Sequence, residues 1–141
     1  AKQVVNLDPD HEFADLAILL VEDNEVNRKV ALRMLQKLGC QADVAANGRE
    51  GVERTAARHY QLVFMDCQMP EMDGFEATRE IRSREQGTGG HVRIVAMPAN
   101  ALEGDRERCI DSGMDDYVAK PIKLDYLVEH LRMARTFRRA A

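Results

Sequence analysis

Apolar and polar positions alternate in blocks along most of this chain. LAILLV (16–21) is a short, unbroken apolar run that stops at Glu22-Asp23-Asn24, the pattern of a strand buried on both faces. Beyond it Val26, Val30, Ala31, Met34, Leu35 and Leu38 recur at helical spacing, and Gly39 stands where a helix would end; strand is followed by helix. The alternation then repeats. A short strand is predicted near Gln41–Ala45, a helix from about Gly48 to Arg58, the strand QLVFMD (61–66), and a helix from about Phe75 to Arg84. SREQGTGG (83–90) reads as a flexible loop, VRIVAM (92–97) as a fourth buried strand, and a weaker helical segment runs from about Leu102 to Ser112. DYVA (116–119) makes a short fifth strand, and Leu124, Leu127, Val128 and Leu131 give the amphipathic stripe of a last helix. Five strands alternating with five helices imply right-handed crossovers and one doubly wound α/β parallel sheet with helices on both faces. Residues 1–15, with a proline, several acids and no sustained period, read as an arm or linker, 16–136 as the domain and 137–141 as a tail.

In such a sheet, ligands bind outside the carboxyl ends of the strands. Glu22-Asp23 ends the first strand, Asp66 the third and Met97-Pro98 the fourth, and Lys120-Pro121 follows the fifth. Carboxylates gathered at one rim repel each other, and a divalent cation resolves the repulsion. Oxygen ligands without His or Cys suit Mg2+, with Mn2+ as the alternative hard cation. Asp23 and Asp66 are the candidate ligands, with Glu22 acting directly or through water. A carboxylate beside a metal and a lysine can also attack phosphorus, and Asp66, central in the sheet, suits that role. The bland alternative is that Asp23 or Asn24 caps a helix and Asp66 satisfies loop amides.

Composition narrows the classes further. With 141 residues, 45% hydrophobic and 31% charged, the chain supports one compact domain and is neither disordered nor fibrous. No apolar run approaches the roughly 20 residues of a membrane span. A net charge of -4 gives no electrostatic grip on nucleic acid, so no direct nucleic-acid binding is expected. Cys40, Cys67 and Cys109 are odd in number and contain no CxxC pair, which fits neither a disulfide framework nor a zinc site and points to a reducing compartment. The start at Ala1, without a signal peptide, suggests a processed chain or an excised piece of something longer, of which the excised piece is the favoured reading. His11, His59, His91 and His130 lie apart and are expected at the surface, Cys67 is expected to be a packed thiol, and the methionines serve packing. Arg132, Arg135, Arg138 and Arg139 suit the negative end of the last helix.

The segments LLVEDNEVNRKVALRMLQKLG (19–39), MDCQMPEMDGFEATREIR (65–82), IVAMPANAL (94–102) and GMDDYVAKPI (113–122) resemble the receiver domain of two-component signalling, from Leu16 to Thr136. They are most similar to the receivers fused to hybrid sensor histidine kinases. The resemblance implies a flavodoxin-like sheet in the order 2-1-3-4-5 and a cytoplasmic setting. It also implies that Asp66 accepts phosphate from a phosphohistidine on a histidine kinase or histidine phosphotransfer domain. By the same resemblance, Asp23, Asp66 and the backbone carbonyl of Gln68 bind Mg2+, Glu22 supports them and Lys120 contacts the phosphoryl group. Tyr117 would be the aromatic whose rotamer reports the switch, and Lys120–Pro121 a cis bond.

One position departs from the family. Pro98 stands where Thr or Ser is usual, and proline offers neither hydroxyl nor N–H. The hydroxyl role is not carried over; the backbone N–H of Ala99 remains to face the phosphoryl oxygens. Pro98 also motivates the alternative of a pseudo-receiver that binds partners without being phosphorylated. A free-standing phosphohydrolase is disfavoured because Gln68, not an acid, stands two residues after Asp66. Flavin binding is disfavoured because no Ser/Thr/Gly-rich loop follows the first strand.

Overall fold

A computed structural model describes residues 13–99, 103–120 and 122–140, apart from the side chains of 103–105 and 136–140. The elements follow the predicted alternation: β1 (Ile18–Val21), α1 (Glu25–Lys37), β2 (Ala42–Ala45), α2 (Gly48–Ala57), β3 (Leu62–Asp66), α3 (Gly74–Glu85), β4 (Arg93–Met97), α4 (Glu103–Ser112), β5 (Asp116–Tyr117) and α5 (Leu124–Ala140). All pairings are parallel and the sheet order is β2-β1-β3-β4-β5. The unbroken apolar runs are explained by position: β1 and β3 are interior strands, buried at every residue.

The alternating side chains of these strands feed two cores. Ile18, Leu20, Leu62, Phe64, Val95 and Met97 pack with Ala31, Leu35, Leu127 and Leu131 on the side of α1 and α5. Leu19, Val21, Val63, Met65, Ile94 and Ala96 pack with Val52, Phe75, Ile81 and Cys109 on the side of α2, α3 and α4. Three helices start with side-chain caps. Asn24, Asn47 and Asp73 accept from the N–H groups of Asn27, Glu50 and Glu76, and Asp73 with Glu76 completes a capping box. Gly39, at φ 80, closes α1 in the left-handed region that glycine adopts without strain.

Several local expectations are corrected. Val26 and Val30, counted in the first helical recurrence, are 68% and 48% exposed, so the buried side of α1 is carried by Ala31 and Leu35, with Leu38 just beyond. The segment read as loop from Ser83 begins later, because α3 runs through Glu85. There Arg82 donates to Glu85 (2.6 Å), to the Val92 carbonyl (2.8 Å) and to Asp115 (2.8 Å). β5 has only two residues, not four. Phe13, inside the segment read as an arm, is buried with Leu16 in the core beneath α5, and α5 continues past the predicted boundary to Ala140. His130 is buried rather than exposed, its Nδ1 3.9 Å from Asp116, because it lies on α5 beside the Leu127 and Leu131 stripe. His11, Leu102, Pro121 and the proposed cis Lys120–Pro121 bond lie outside the described residues. No helix among the described residues is long and apolar enough to cross a membrane.

Candidate functional site

The register of the sheet assembles the site. Val21 of β1 lies opposite Met65 of β3, so the next residues, Glu22 and Asp66, emerge side by side at the carboxyl rim. Asp66 also pairs with Met97, which sets Pro98 one residue beyond that level on the neighbouring strand. Glu22 is held from both ends: its N–H donates to the Ala45 carbonyl (3.1 Å), and its own carbonyl accepts from Arg28 Nη1 (3.0 Å). Gly74 lets α3 begin against the strand end, since a Cβ there would lie 2.2 Å from the Asp66 carbonyl oxygen.

Glu22 and Asp66 are buried while Asp23, the next residue along, is exposed. Carboxylate oxygens of Glu22, Asp23 and Asp66 lie within 4.8 Å of one another. Lys120 Nζ is 3.2 Å from Glu22 Oε1 and 3.2 Å from Asp66 Oδ1. The second Glu22 oxygen accepts from the Asn24 N–H at 3.1 Å, and the Gln68 N–H donates to Asp66 Oδ1 at 3.3 Å.

The electrostatics follow from this crowding. Burial, and then the hydrogen-bonded Glu22 carboxyl, push the Asp66 pKa up to about 7, against the opposing pull of Lys120. For Lys120 burial works to lower the pKa, but Asp66 and Glu22 outweigh it and hold the ammonium above its ordinary value. A rim with three carboxyls and one ammonium is thus short of positive charge. An all-oxygen donor set, open to water on the Asp23 side, fits a hard divalent cation such as Mg2+, which keeps several waters when bound. The neighbouring thiol is not a competing ligand: Cys67 is buried, its pKa pushed up by burial and by contact with Cys109.

Glu22, Asp23, Asp66 and Lys120 therefore converge, and Asn24, rather than Asp23, caps α1. Gln68 joins them through its N–H. Pro98 is buried and meets Lys120 through the backbone, its carbonyl accepting the Lys120 N–H at 3.1 Å; Ala99 is exposed. Tyr117 stands farther along β5, half-buried against the α2–α3–α4 core, with the Arg106 guanidinium 5.2 Å from its ring centroid. Sequence reasoning missed Arg28 and Arg106. Arg28, one turn into α1 on the segment that follows the acids, was open to notice; Arg106 meets Tyr117 only through the packing of α4.

Known proteins resemble this chain in sequence and in fold. The family model described as the response regulator receiver domain matches residues 18–132. The hybrid signal transduction histidine kinase B of Dictyostelium discoideum is 46% identical over 125 residues, covering 82% of this chain and 6% of that protein, so the chain spans a small fraction of its relative's length. Among solved structures, a sensor histidine kinase receiver domain from Pseudomonas aeruginosa, with magnesium coordinated in its active site cleft, is 46% identical. It aligns with TM-score 0.76 over 84% of this chain and 95% of that one. A Saccharomyces cerevisiae receiver domain crystallised with a histidine phosphotransfer protein is 32% identical, with TM-score 0.80 over 85% of this chain and 88% of that one.

Proposed function

Given that the chain belongs to the response regulator receiver domain family, we propose that Asp66 accepts a phosphoryl group from a phosphohistidine and that the modified domain presents a changed protein-binding face. The observation that carries this reading is the Glu22, Asp23, Asp66 and Lys120 constellation at one rim of the sheet. Asp66 Oδ attacks phosphorus in line with the departing imidazole nitrogen; an acyl phosphate bond forms as the P–N bond breaks, and the histidine takes up a proton. Lys120, already against Asp66, neutralises charge on the transferred oxygens. Glu22 orients Lys120, and Asp23, exposed beside them, keeps the cation side open to solvent. Asp23, Asp66 and the Gln68 carbonyl, supported by Glu22, would hold Mg2+ or Mn2+, which supplies further neutralisation of the phosphoryl oxygens. The Ala99 N–H, beyond Pro98, is the donor we assign to a remaining phosphoryl oxygen.

The partner is a histidine kinase or a histidine phosphotransfer domain. Val26 and Val30, one helical turn apart and exposed on α1 beside Asp23, offer an apolar landing next to Asp66. The parent we infer is a hybrid sensor histidine kinase, with this domain on its cytoplasmic side and without direct nucleic-acid contact. Pro98 alone favours the second reading, a phosphorylation-independent interaction module, since it removes the side-chain hydroxyl next to the site. Intact-mass measurement after incubation with acetyl phosphate and Mg2+ separates the two. One phosphoryl adduct, absent from Asp66→Asn, is expected; no adduct on wild type, or an equal adduct on Asp66→Asn, overturns the assignment.

A further inference from the structure

Two buried thiols meet behind the acceptor carboxylate. Cys67 follows Asp66 directly at the end of β3, and Cys109 lies on the buried side of α4. They are 3% and 0% exposed, share one core with Phe75, Ala96 and Met114, and their thiols are in hydrogen-bonding contact. Cys40 is also buried but belongs to the core on the other side of the sheet, its Sγ 4.0 Å from the Leu38 carbonyl. The pair is not part of a larger ligand set: among the described residues, the one group of three or more His, Cys, Asp or Glu side chains close enough to share a metal is Glu22, Asp23 and Asp66. The chemistry proposed for Asp66 uses neither sulfur. Two cysteines held this close need no rearrangement of whole elements to be joined.

We propose that Cys67 and Cys109 form an oxidation site, at which hydrogen peroxide ties the end of β3 to α4 through a reversible disulfide beside Asp66. Cys67, the less sealed of the two and next to the water-facing rim, reacts first. Its sulfur attacks a peroxide oxygen, the O–O bond breaks, and the thiol proton leaves with the displaced hydroxide as water, giving a sulfenic acid. The Cys109 sulfur then attacks the Cys67 sulfur; the S–S bond forms as the S–O bond breaks, and the Cys109 proton leaves with hydroxide as a second water. Two thiols lose two electrons and one peroxide is reduced to two waters. Shielding makes the first step slow, and contact makes the second fast because the resolving thiol is already in place. A bond is shorter than the contact it replaces, so it draws the Cys67 backbone toward α4. Asp66 precedes Cys67, Gln68 follows it, and the Cys67 carbonyl accepts the Gly74 N–H at 3.1 Å. The Asp66 carboxylate and the Gln68 carbonyl assigned to the cation are thereby displaced together, and Mg2+ binding weakens. That consequence rests on the receiver reading; the disulfide does not.

The test treats the whole reduced chain with hydrogen peroxide, unfolds it in an alkylating agent and digests it without reductant. The peptides that contain Cys67 and Cys109 are expected to be linked to each other, with Cys40 alkylated, and dithiothreitol should return both thiols to alkylation. In Cys109→Ala the linked peptide should give way to a Cys67 sulfenic acid that dimedone traps. Sulfoxide at the exposed Met133 marks an effective peroxide dose. Cys67 and Cys109 both still alkylated at that dose would overturn the proposal, as would bonds that engage Cys40 or join two chains. Titration calorimetry should then show Mg2+ bound about 10-fold more weakly by the oxidised than by the reduced protein; equal affinities would overturn the link to the rim. A reduced protein that does not bind Mg2+ contradicts the metal site of the receiver reading, while the linked peptides still decide the disulfide.

Discussion

Replacing Asp66 with asparagine should make the metal-free protein more stable at alkaline pH, although it abolishes the proposed chemistry. Asp66 is buried beside Glu22, and its pKa is pushed up to about 7 from an ordinary 3.8. A carboxyl whose folded pKa exceeds its unfolded value contributes stability that is fully present below the unfolded pKa and is lost as pH rises through the folded pKa. The window is therefore pH 3.8 to about 7, with the loss complete above it. At ~1.4 kcal/mol per unit the full separation would be worth about 4 kcal/mol; because a neutral amide in place of the carboxylate also loosens Lys120, about 2–3 kcal/mol is the expected net gain. Urea unfolding of both proteins in EDTA, at steps from about pH 4.5 to about pH 8, isolates the site, since groups common to both cancel in the difference. The advantage of Asp66→Asn should grow with pH and level off above neutrality. Saturating Mg2+ at the alkaline end should then stabilise wild type alone, by roughly 2–3 kcal/mol at about 100 times its Kd. A stability difference that stays flat with pH, or a wild type more stable than the variant at the alkaline end without metal, would refute the reasoning.

Asp23→Ala should weaken Mg2+ binding at least ~10-fold, the loss expected even for an outer partner of a metal site, as measured by titration calorimetry. Glu22→Gln should weaken it less, since the Glu22 oxygens already engage Lys120 and the Asn24 N–H. Pro98→Thr should enlarge the beryllofluoride-induced NMR shifts around Tyr117, because a threonine hydroxyl at this rim position adds a charge-assisted hydrogen bond to the bound anion of about 1.5–3 kcal/mol and biases the bound state by roughly one to two powers of ten; equal shifts in both proteins would contradict this reasoning. Gly74→Ala forces a Cβ to within 2.2 Å of the Asp66 carbonyl oxygen, so thermal or urea unfolding should show a loss of about 1–3 kcal/mol, accompanied by weaker Mg2+ binding.

The sheet was legible because β1 and β3 are buried at every residue and β4 at every residue but Arg93, which writes each as a largely apolar run, β1 running into Glu22, β3 ending at Asp66 and β4 stopping at Pro98. The rim followed from topology, since parallel strands send all their carboxyl ends one way; Glu22, Asp23, Asp66 and Lys120 meet as expected. Helical periodicity was less decisive. Val26 and Val30 satisfy the spacing of an apolar face yet point to solvent, because periodicity marks a stripe without saying whether all of it is covered. His130 was misplaced for the opposite reason: a polar residue beside a strong apolar stripe is carried into the core with it, here with a buried Nδ1 that has no hydrogen-bond partner among the described residues. The stacks of Arg106 on Tyr117 and Arg108 on Phe75 join residues remote in sequence through the packing of α4, and no local pattern announces such contacts.

The central claim is that Asp66 takes a phosphoryl group from a histidine, and transfer of radiolabelled phosphate from a phosphorylated histidine phosphotransfer protein in Mg2+ tests it most directly. Label should move to wild type and be released from it by hydroxylamine, as an acyl phosphate is, and Asp66→Asn should receive none. Label that stays on the donor, or reaches Asp66→Asn as readily as wild type, would contradict the account.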